Sequence, residues 1–357
     1  MAEQLKNIYT TNYINNLALK IKEKYKDFDS KSFEKTIFSN PWNSLELKNR
    51  MRHIAITLNT FLPLSYEKQL EILKEVSFDF TSFEAMFFQD FVEVYGQEDF
   101  DNSMKALEVF TIGSSSEFAI RAFIIKYEDK TMNQMNLWAK NSNEHLRRLA
   151  CEGCRPRLPW GVALSSFKKD PSKVLKIIEV LKNDKSKYVQ KSVANNLNDI
   201  SKDNSELVIE FVKQNLGKSK SLDWICKHAS RTLLKRGHLK ILELFGYLKT
   251  NHIKVESFIL DDFVLIGEDL SFSFSLQSEI SLGNLRVEYA IDYKKSNGTH
   301  SRKVFMISQN EIKSTRKNFT KKQTFKNMTT RKHYMGDHYL SIVINGEQVI
   351  QKPFLVN

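Results

Sequence analysis

The stretch EHLRRLACEGCRPRLPW, residues 144–160, begins with the pattern of a helix. Its apolar residues recur at the i, i+3 and i+4 spacing of one helix face; they are Leu146, Leu149 and Ala150. Arg148 and Glu152 fall on another face, one helical turn apart. The stretch therefore predicts a helix that carries an arginine and a carboxylate side by side.

The second half of this stretch predicts a rigid basic loop. Pro156 cannot continue a helix and biases Arg155 towards extended backbone, and Pro159 repeats the interruption before Trp160. Together with Arg157, these residues form a basic loop that presents an indole. A structural loop that packs Trp160 into a core is the alternative.

Around this stretch, the first 250 residues predict helix after helix with a weak internal repeat. The aligned segments are RRLACEG (147–153), QKSVANN (190–196) and CKHASRT (226–232). One position is basic in all three, with Arg148, Lys191 and Lys227. In the same register, Glu152 corresponds to Asn195 and Arg231. Spacings of about 40 residues favour HEAT-like helical pairs stacked into a curved solenoid with a concave face, although ordinary solvated helix faces would give the same charges.

The hydrophobic period changes to two near residue 250, which predicts strands. Phe272 and Phe274 alternate with serines, and Val287 and Tyr289 alternate with polar residues. Asn345-Gly346 is a typical hairpin turn. The sequence thus predicts a helical domain over residues 1–250 and a small antiparallel β-sandwich over residues 251–357, with the boundary near 250–254.

Composition limits the classes of partner. The chain has 357 residues, a formal net charge of +12 and a pI near 9.3, which favour a polyanionic partner such as nucleic acid. The three cysteines and the polar start of the sequence predict a cytoplasmic protein that does not cross a membrane. Cys151 and Cys154 form a C-x-x-C that Cys226 and His228 could complete as a zinc site, but no second C-x-x-C exists, so we expect no metal and no cofactor.

A second basic segment lies in the predicted sandwich. Residues 313–332 contain eight Lys or Arg residues and no Asp or Glu, and they include Lys317, Lys321 and Lys322. Lysines often protect an exposed sheet edge from aggregation. On a chain of this charge the segment equally suits contacts with DNA phosphates, and we expect the second role.

Four ordered motifs resemble the AlkC family of bacterial alkylbase DNA glycosylases. They are SSSEFAIRAF (114–123), RRLACEGCRPRLPW (147–160), YVQKSVANNLNDISKDN (188–204) and WICKHASRTLLKRG (224–237). MFFQDFVEVYG (86–96) is similar too, so the resemblance covers essentially the whole chain. Two positions depart from the family pattern: Ala122 stands where a proline is expected, and Gly161 stands where alanine is common. The implied fold is an all-α HEAT-like repeat solenoid followed by a small all-β immunoglobulin-like sandwich.

The resemblance implies excision of bases alkylated on ring nitrogens, such as 3-methylcytosine and 3-methyladenine, from double-stranded DNA without flipping the lesion into a pocket. The resemblance makes Glu117 and Glu152 the candidate catalytic carboxylates and Trp160 the candidate ring against the sugar. The expected DNA-binding residues are Arg148, Arg155, Arg157, Lys191, Lys227, Arg231, Lys317, Lys321 and Lys322. A monomeric enzyme is the main hypothesis. The alternative is a non-catalytic HEAT-repeat scaffold that binds DNA or an acidic protein surface.

Overall fold

The computed structural model describes residues 5–328 and 332–357, and its first part is a helical repeat region. Before residue 154, the α-helices are α1 (Thr11–Lys24), α2 (Ser30–Ile37), α3 (Leu47–Phe61), α4 (Tyr66–Ser77), α5 (Phe87–Tyr95), α6 (Phe100–Gly113), α7 (Ile120–Lys126), α8 (Glu128–Trp138) and α9 (Glu144–Gly153). After it come α10 (Ser165–Lys169), α11 (Ser172–Leu181), α12 (Lys187–Ile200), α13 (Ser205–Asn215), α14 (Lys220–Ala229), α15 (Arg231–Lys235) and α16 (Leu239–Leu244).

Side-chain caps fix where the two central helices begin. Asn143 Oδ1 accepts a hydrogen bond from the backbone N–H of His145 at 2.8 Å, at the start of α9. Ser186 Oγ accepts one from the N–H of Tyr188 at 3.2 Å, at the start of α12. Each cap satisfies a donor that has no partner within its helix. The two helices therefore begin at defined residues, which sets which of their side chains face each other.

The three segments that the repeat register aligned lie on neighbouring helices. Helix α12 packs between α9 and α14. Asn196 Nδ2 on α12 donates to the carbonyl of Cys151 on α9 at 2.7 Å, and His228 Nε2 on α14 lies 3.0 Å from Asn195 Oδ1. The internal repeat predicted from the sequence is therefore a structural one.

The C-terminal part is a β-sandwich of two sheets, as predicted. The strands are β1 (Lys254–Leu260), β2 (Phe263–Val264), β3 (Asp269–Gln277), β4 (Gly283–Lys294), β5 (His300–Ile312), β6 (Arg316–Thr324), β7 (Gly336–Ile344) and β8 (Glu347–Val356). One sheet has the order β1-β3-β6 and the other β2-β8-β7-β4-β5. The alternating apolar residues of β3 and β4 face one shared core, which includes Phe272, Phe274, Val287 and Tyr289.

The predicted hairpin turn and the basic segment both lie in the sandwich. Asn345 and Gly346 form the two-residue turn between β7 and β8, with positive φ angles of 46° and 81° that this turn type requires. The basic segment contributes β6, which pairs with β3 alone and so lies at a sheet edge. Arg331 of that segment lies outside the described residues.

Helices α15 and α16 pack with the sandwich. The chain divides into two compact units, one reaching Val208 together with Asn215–Ala229, and the other comprising Ile209–Gln214 and Ser230–Asn357. Asn284 of β4 donates to the carbonyls of residues 245 and 246 just after α16, at 3.3 and 3.4 Å. The first strand begins at Lys254, within the predicted boundary region, while the short helices before it belong to the second unit.

Within residues 5–328 and 332–357, no helix is both long and apolar enough to cross a lipid bilayer. The longest, α3, has 15 residues and carries Arg50 and Arg52. A span needs about 20 predominantly apolar residues.

We predict that the sandwich loses stability at mildly acidic pH because of His338. This side chain is fully buried among aromatic rings, and burial lowers its pKa below the ordinary value, with further lowering by His300 and Lys294. As pH falls through about 6.5, the unfolded chain takes up a proton that folded His338 refuses, so the free energy of unfolding falls. Urea unfolding at pH 7 and pH 5 should show this loss, and His338→Phe should reduce it. An equal loss in the variant would contradict the assignment.

Candidate active site

Glu117 lies in the turn before α7 and faces Arg148. Helix α7 begins at Ile120, so the carboxylate belongs to the turn and not to the helix. Glu117 Oε2 accepts a hydrogen bond from Ser115 Oγ at 2.7 Å and forms an ion pair with Arg148 Nη1 at 2.5 Å. The turn thereby aims a partly exposed carboxylate towards α9.

Glu152, in the last turn of α9, is a buried carboxylate. It is only 5% exposed, although the amphipathic pattern placed it on the polar face of the helix. The reason is α12, whose Ser192 Oγ donates to Glu152 Oε2 at 2.6 Å. Glu152 Oε1 accepts from Arg155 Nη1 at 2.6 Å. A buried carboxylate needs such partners, because burying an unpaired charge is costly.

Arg148 joins the two carboxylates. Its guanidinium lies 2.5 Å from Glu117 and 3.5 Å from Glu152, and it sits over the ring of Tyr188 at 4.9 Å from the ring centroid. Burial alone would lower the pKa of Arg148, but the charges of Glu117 and Glu152 outweigh that effect and raise it. Two carboxylates 35 positions apart in the sequence therefore meet at one guanidinium.

Arg155 does not lie on the surface where we expected a DNA-binding residue. It is buried, and its guanidinium bonds both Glu152 and Asp199, with Nε donating to Asp199 Oδ2 at 2.8 Å. These two contacts occupy it in holding the end of α9 against α12. Arg157 is partly exposed, and it makes a two-point ion pair with Asp203 at 2.7 and 2.6 Å. Both aspartates lie in the segment 188–204, whose sequence pattern predicted no role for either of them.

A cleft of about 320 Å³ opens beside the two carboxylates. Glu117 and Arg148 line it, together with Phe83, His145 and Tyr188. Glu152 lies behind Arg148, away from the lining. The cleft therefore presents the carboxylate of Glu117 and the guanidinium of Arg148 directly to a ligand. The carboxylate of Glu152 lies next to Arg148 but does not line the cleft.

Trp160 adjoins this cleft and is held there by its backbone. Its ring is 64% exposed and meets the edge of Phe83 at a centroid distance of 6.0 Å, so it does not pack into a core as the alternative required. Its φ of 64° is a left-handed conformation that costs about 1–2 kcal/mol in a residue with a side chain. Lys48 Nζ donates to its carbonyl at 2.9 Å.

Arg121, which the sequence analysis assigned no role, anchors the loop of Trp160. It is 2% exposed and donates to the carbonyls of Gly153 and Arg155 at 2.8 Å and of Val162 at 2.7 Å. Burial lowers its pKa to about 10. A Cβ at Gly161 would lie 3.2 Å from Arg121 Nε, so glycine leaves this arginine room. An arginine inside an apolar run was the available sequence signal.

The remaining predicted DNA-binding residues lie on three helices and one strand. Lys191 on α12 and Lys227 on α14 are exposed. Arg231 begins α15 and is half-buried with interactions of its own. On β6, Lys317 and Lys322 are exposed and Lys321 is half-buried.

Both thiols of the C-x-x-C pair are buried. Burial raises the pKa of Cys151 to about 12 and that of Cys154 well above its ordinary value. Asn196 Nδ2 lies 3.8 Å and 3.6 Å from the two sulfur atoms. Across the described ranges, no group of three or more His, Cys, Asp or Glu side chains is arranged so that it could hold a metal ion.

Two family models match the two parts of the chain. The model described as "DNA alkylation repair enzyme" matches residues 111–235, which include the carboxylate cluster and the loop of Trp160. The model of the C-terminal Ig-like domain of YhaZ matches residues 254–357, the eight strands of the sandwich. The fold and the site together define a DNA alkylation repair protein with an immunoglobulin-like domain.

Relatives that span the whole chain narrow this class to one family. The chain is 44% identical to the Bacillus subtilis protein YhaZ over 345 residues, 96% of each chain. The structure of the Pseudomonas fluorescens alkylpurine DNA glycosylase AlkC, bound to DNA containing an abasic-site analogue, matches with a TM-score of 0.95 and 35% identity, over 99% of this chain and all of that one. The chain belongs to the AlkC family of DNA glycosylases.

We predict that Arg121→Met destabilises the helical unit and loosens the loop of Trp160. The substitution leaves the buried carbonyls of Gly153 and Arg155 and the partly buried carbonyl of Val162 without this donor, so the free energy of unfolding should fall by about 3 kcal/mol. Acrylamide quenching of tryptophan fluorescence should change as the loop loosens. Exposed Arg236→Met is the matched control and should melt like the parent. If Arg121→Met also melts like the parent, Arg121 does not hold the loop.

Proposed function

We propose that this glycosylase excises bases carrying an alkyl group on a ring nitrogen, the 3-methylcytosine and 3-methyladenine class, from double-stranded DNA. The observation that carries the proposal is the meeting of Glu117 and Glu152 at Arg148, beside a cleft next to an exposed tryptophan. Membership in a family with a DNA-bound alkylpurine glycosylase supports the reaction class.

The substrate's chemistry explains why carboxylates suffice. A base alkylated in this way is cationic, so it leaves readily and needs little help from a general acid. Positive charge instead develops on the deoxyribose as the bond from C1′ to the base stretches. An anion placed in advance near that carbon stabilises the transition state more than the ground state.

The carboxylate cluster suits this task by its charge. The three carboxylates of Glu117, Glu152 and Asp199 are balanced by Arg148, Arg155 and Lys202, so negative charge is left beside the cleft when Arg148 turns to another anion. Glu117, which lines the cleft, is assigned to the sugar and to the attacking water. Glu152 adds its field from behind Arg148.

Arg148 couples DNA binding to this field. In the free protein its guanidinium offsets the charge of both glutamates at 2.5 and 3.5 Å. A DNA phosphate offers the same guanidinium a competing anion. As Arg148 turns towards the phosphate, Glu117 and Glu152 lose the guanidinium that offsets their negative charge beside the lesion. The binding step thus creates the electrostatic environment that the chemical step requires.

Trp160 completes the site as an aromatic face for the sugar. Its exposed ring needs no rearrangement to meet DNA, and the face of an indole attracts cationic character. Because the lesion is approached from the sugar side, we propose that the base is not flipped into a pocket.

The proposed contacts with DNA phosphates are made by lysine and arginine side chains. Lys191 and Lys227 would contact phosphates beside Arg148, while Arg231 and Arg157 would require exchange of their present partners. Lys317, Lys321 and Lys322 on the edge strand β6 would contact the duplex from the immunoglobulin-like domain. Arg155 is assigned to positioning Glu152 instead. We further propose a cofactor-independent monomer in the cytoplasm, consistent with three free cysteines and a reducing compartment.

A base-release assay on methylated duplex DNA tests both the function and the role of Glu152. The parent should release free methylated base and leave abasic sites. Glu152→Gln keeps an acceptor for the arginines and an amide that can bond Ser192, but it removes the charge. Its single-turnover rate should fall about 100-fold, the loss expected for one preorganised electrostatic group, about 3 kcal/mol. Binding to undamaged duplex should stay the same or tighten slightly.

The matched control for this experiment is Glu128→Gln. Glu128 is a half-buried glutamate, more exposed than Glu152, in an ion pair with Lys173 at 2.5 Å, and it lies on α8 away from the cleft. It should excise at the parent rate. Should Glu152→Gln also excise at that rate, Glu152 is only a structural partner of Arg148; should the parent release no base, the chain is a binding scaffold.

We predict that the edge strand β6 contributes phosphate contacts. Replacing Lys317, Lys321 and Lys322 together with Ala should weaken duplex binding regardless of sequence. The plot of log affinity against log salt should become shallower by about 0.9 per lost contact. Replacing Lys254, Lys295 and Lys303 together with Ala, three exposed lysines of the sandwich outside residues 313–332, provides a comparison of equal charge. An unchanged slope in the triple variant would make β6 a merely protected edge.

A further inference from the structure

The helical repeat aligns aromatic side chains as well as basic side chains. Three residues before each base of the register stands a ring side chain: His145 before Arg148, Tyr188 before Lys191 and Trp224 before Lys227. Residues at i and i+3 lie side by side on a helix surface. Helices α9, α12 and α14 therefore each carry one aromatic ring and one basic side chain on the same face. We call these six residues the ring–base track.

Contacts between neighbouring helices make the track continuous. The rings of His145 and Tyr188 meet edge to face at 5.8 Å, and the guanidinium of Arg148 lies over Tyr188. From α12 to α14 the link is the 3.0 Å contact between Asn195 and His228. His228 in turn stacks on Trp224 at 5.0 Å and an interplanar angle of 10°.

The outer part of the track is open to a ligand. Tyr188 is 43% exposed and Trp224 is 45% exposed, and Lys191 and Lys227 are exposed as well. His228 stacks on the indole of Trp224, and nearly half of Trp224 stays exposed to solvent beside that contact. An aromatic ring that stays exposed does not contribute the hydrophobic free energy that burial would provide. Two such rings beside exposed lysines on one surface therefore indicate a binding surface.

We propose that the ring–base track binds single-stranded DNA. Double-stranded DNA presents phosphates and sugars to a protein, and lysines alone serve those groups. Unpaired nucleotides also expose the faces of their bases, and aromatic rings alternating with basic residues are the combination that binds them. The track begins at Arg148, so the bound strand leads away from the carboxylate cleft. This activity needs no lesion and goes beyond excision.

Equilibrium binding of an unmodified oligothymidylate of about 12 nucleotides tests the proposal. Fluorescence anisotropy with the full chain should detect binding. Trp224→Leu should weaken it about 10-fold, whereas Trp224→Phe, which keeps a ring, should stay within about threefold. Lys227→Gln should make the salt dependence shallower by about 0.7. A duplex of the same length is the comparison, and Trp224→Leu should bind it within about twofold of the parent, because paired bases hide their faces.

Several outcomes would overturn the proposal: no binding of the oligothymidylate, equal losses on single and double strands in Trp224→Leu, or tighter binding of an oligouridylate of the same length. If Trp224→Leu loses its helical circular dichroism, the salt slope of Lys227→Gln decides, and an unchanged slope overturns the track. Base release is measured on the same preparations. A chain that binds the oligothymidylate but releases no base would contradict the glycosylase proposal and leave the track intact.

Discussion

The buried charge of Glu152 is the constraint on which the rest of the site depends. A carboxylate in the interior is tolerated only when cations and donors surround it, because its loss of hydration is otherwise uncompensated. Arg155 and Ser192 supply that environment, and Arg155 then requires Asp199 in its turn. These bonds join the end of α9 to the middle of α12. The position of the candidate carboxylate is therefore set by two helices together, and neither can shift without breaking a buried ion pair.

Arg121 solves a different problem with the same chemical group. It binds backbone carbonyls on both sides of the loop from Gly153 to Val162, so the two ends of the loop are tied to one rigid side chain. Trp160 contributes almost nothing to that attachment, since its ring is mostly exposed and its backbone is strained. Strain of this kind persists only where the surroundings determine the conformation. Buried Arg121 thus holds the loop in the conformation that leaves the indole of Trp160 exposed.

The sequence was sufficient for the architecture and for part of the site. Hydrophobic periods of 3.6 and 2 separated the helical region from the sandwich, and the repeat register brought Arg148, Lys191 and Lys227 onto neighbouring helices. The segment of β6 was considered as a sheet edge, but its bounds as a strand were not predicted, because an edge strand with few buried residues carries no clear hydrophobic alternation. The burial of Glu152 was missed for a related reason: a charged residue on an amphipathic helix resembles a solvated one until the neighbouring helix is known. Domain limits and residue roles remain predictions.

The arrangement of charges also explains why such a site would spare undamaged DNA. Loss of a neutral base requires a proton donor, and Glu117 and Glu152 both act as acceptors for guanidiniums and hydroxyls. A site built from such anions can stabilise positive charge on a sugar but cannot help an unmodified base to leave. A cationic alkylated base brings its own activation. On the proposed mechanism, selectivity would follow from the chemistry of the lesion and would need no pocket that recognises the base; the open cleft, lined by one carboxylate and one arginine, fits that proposal.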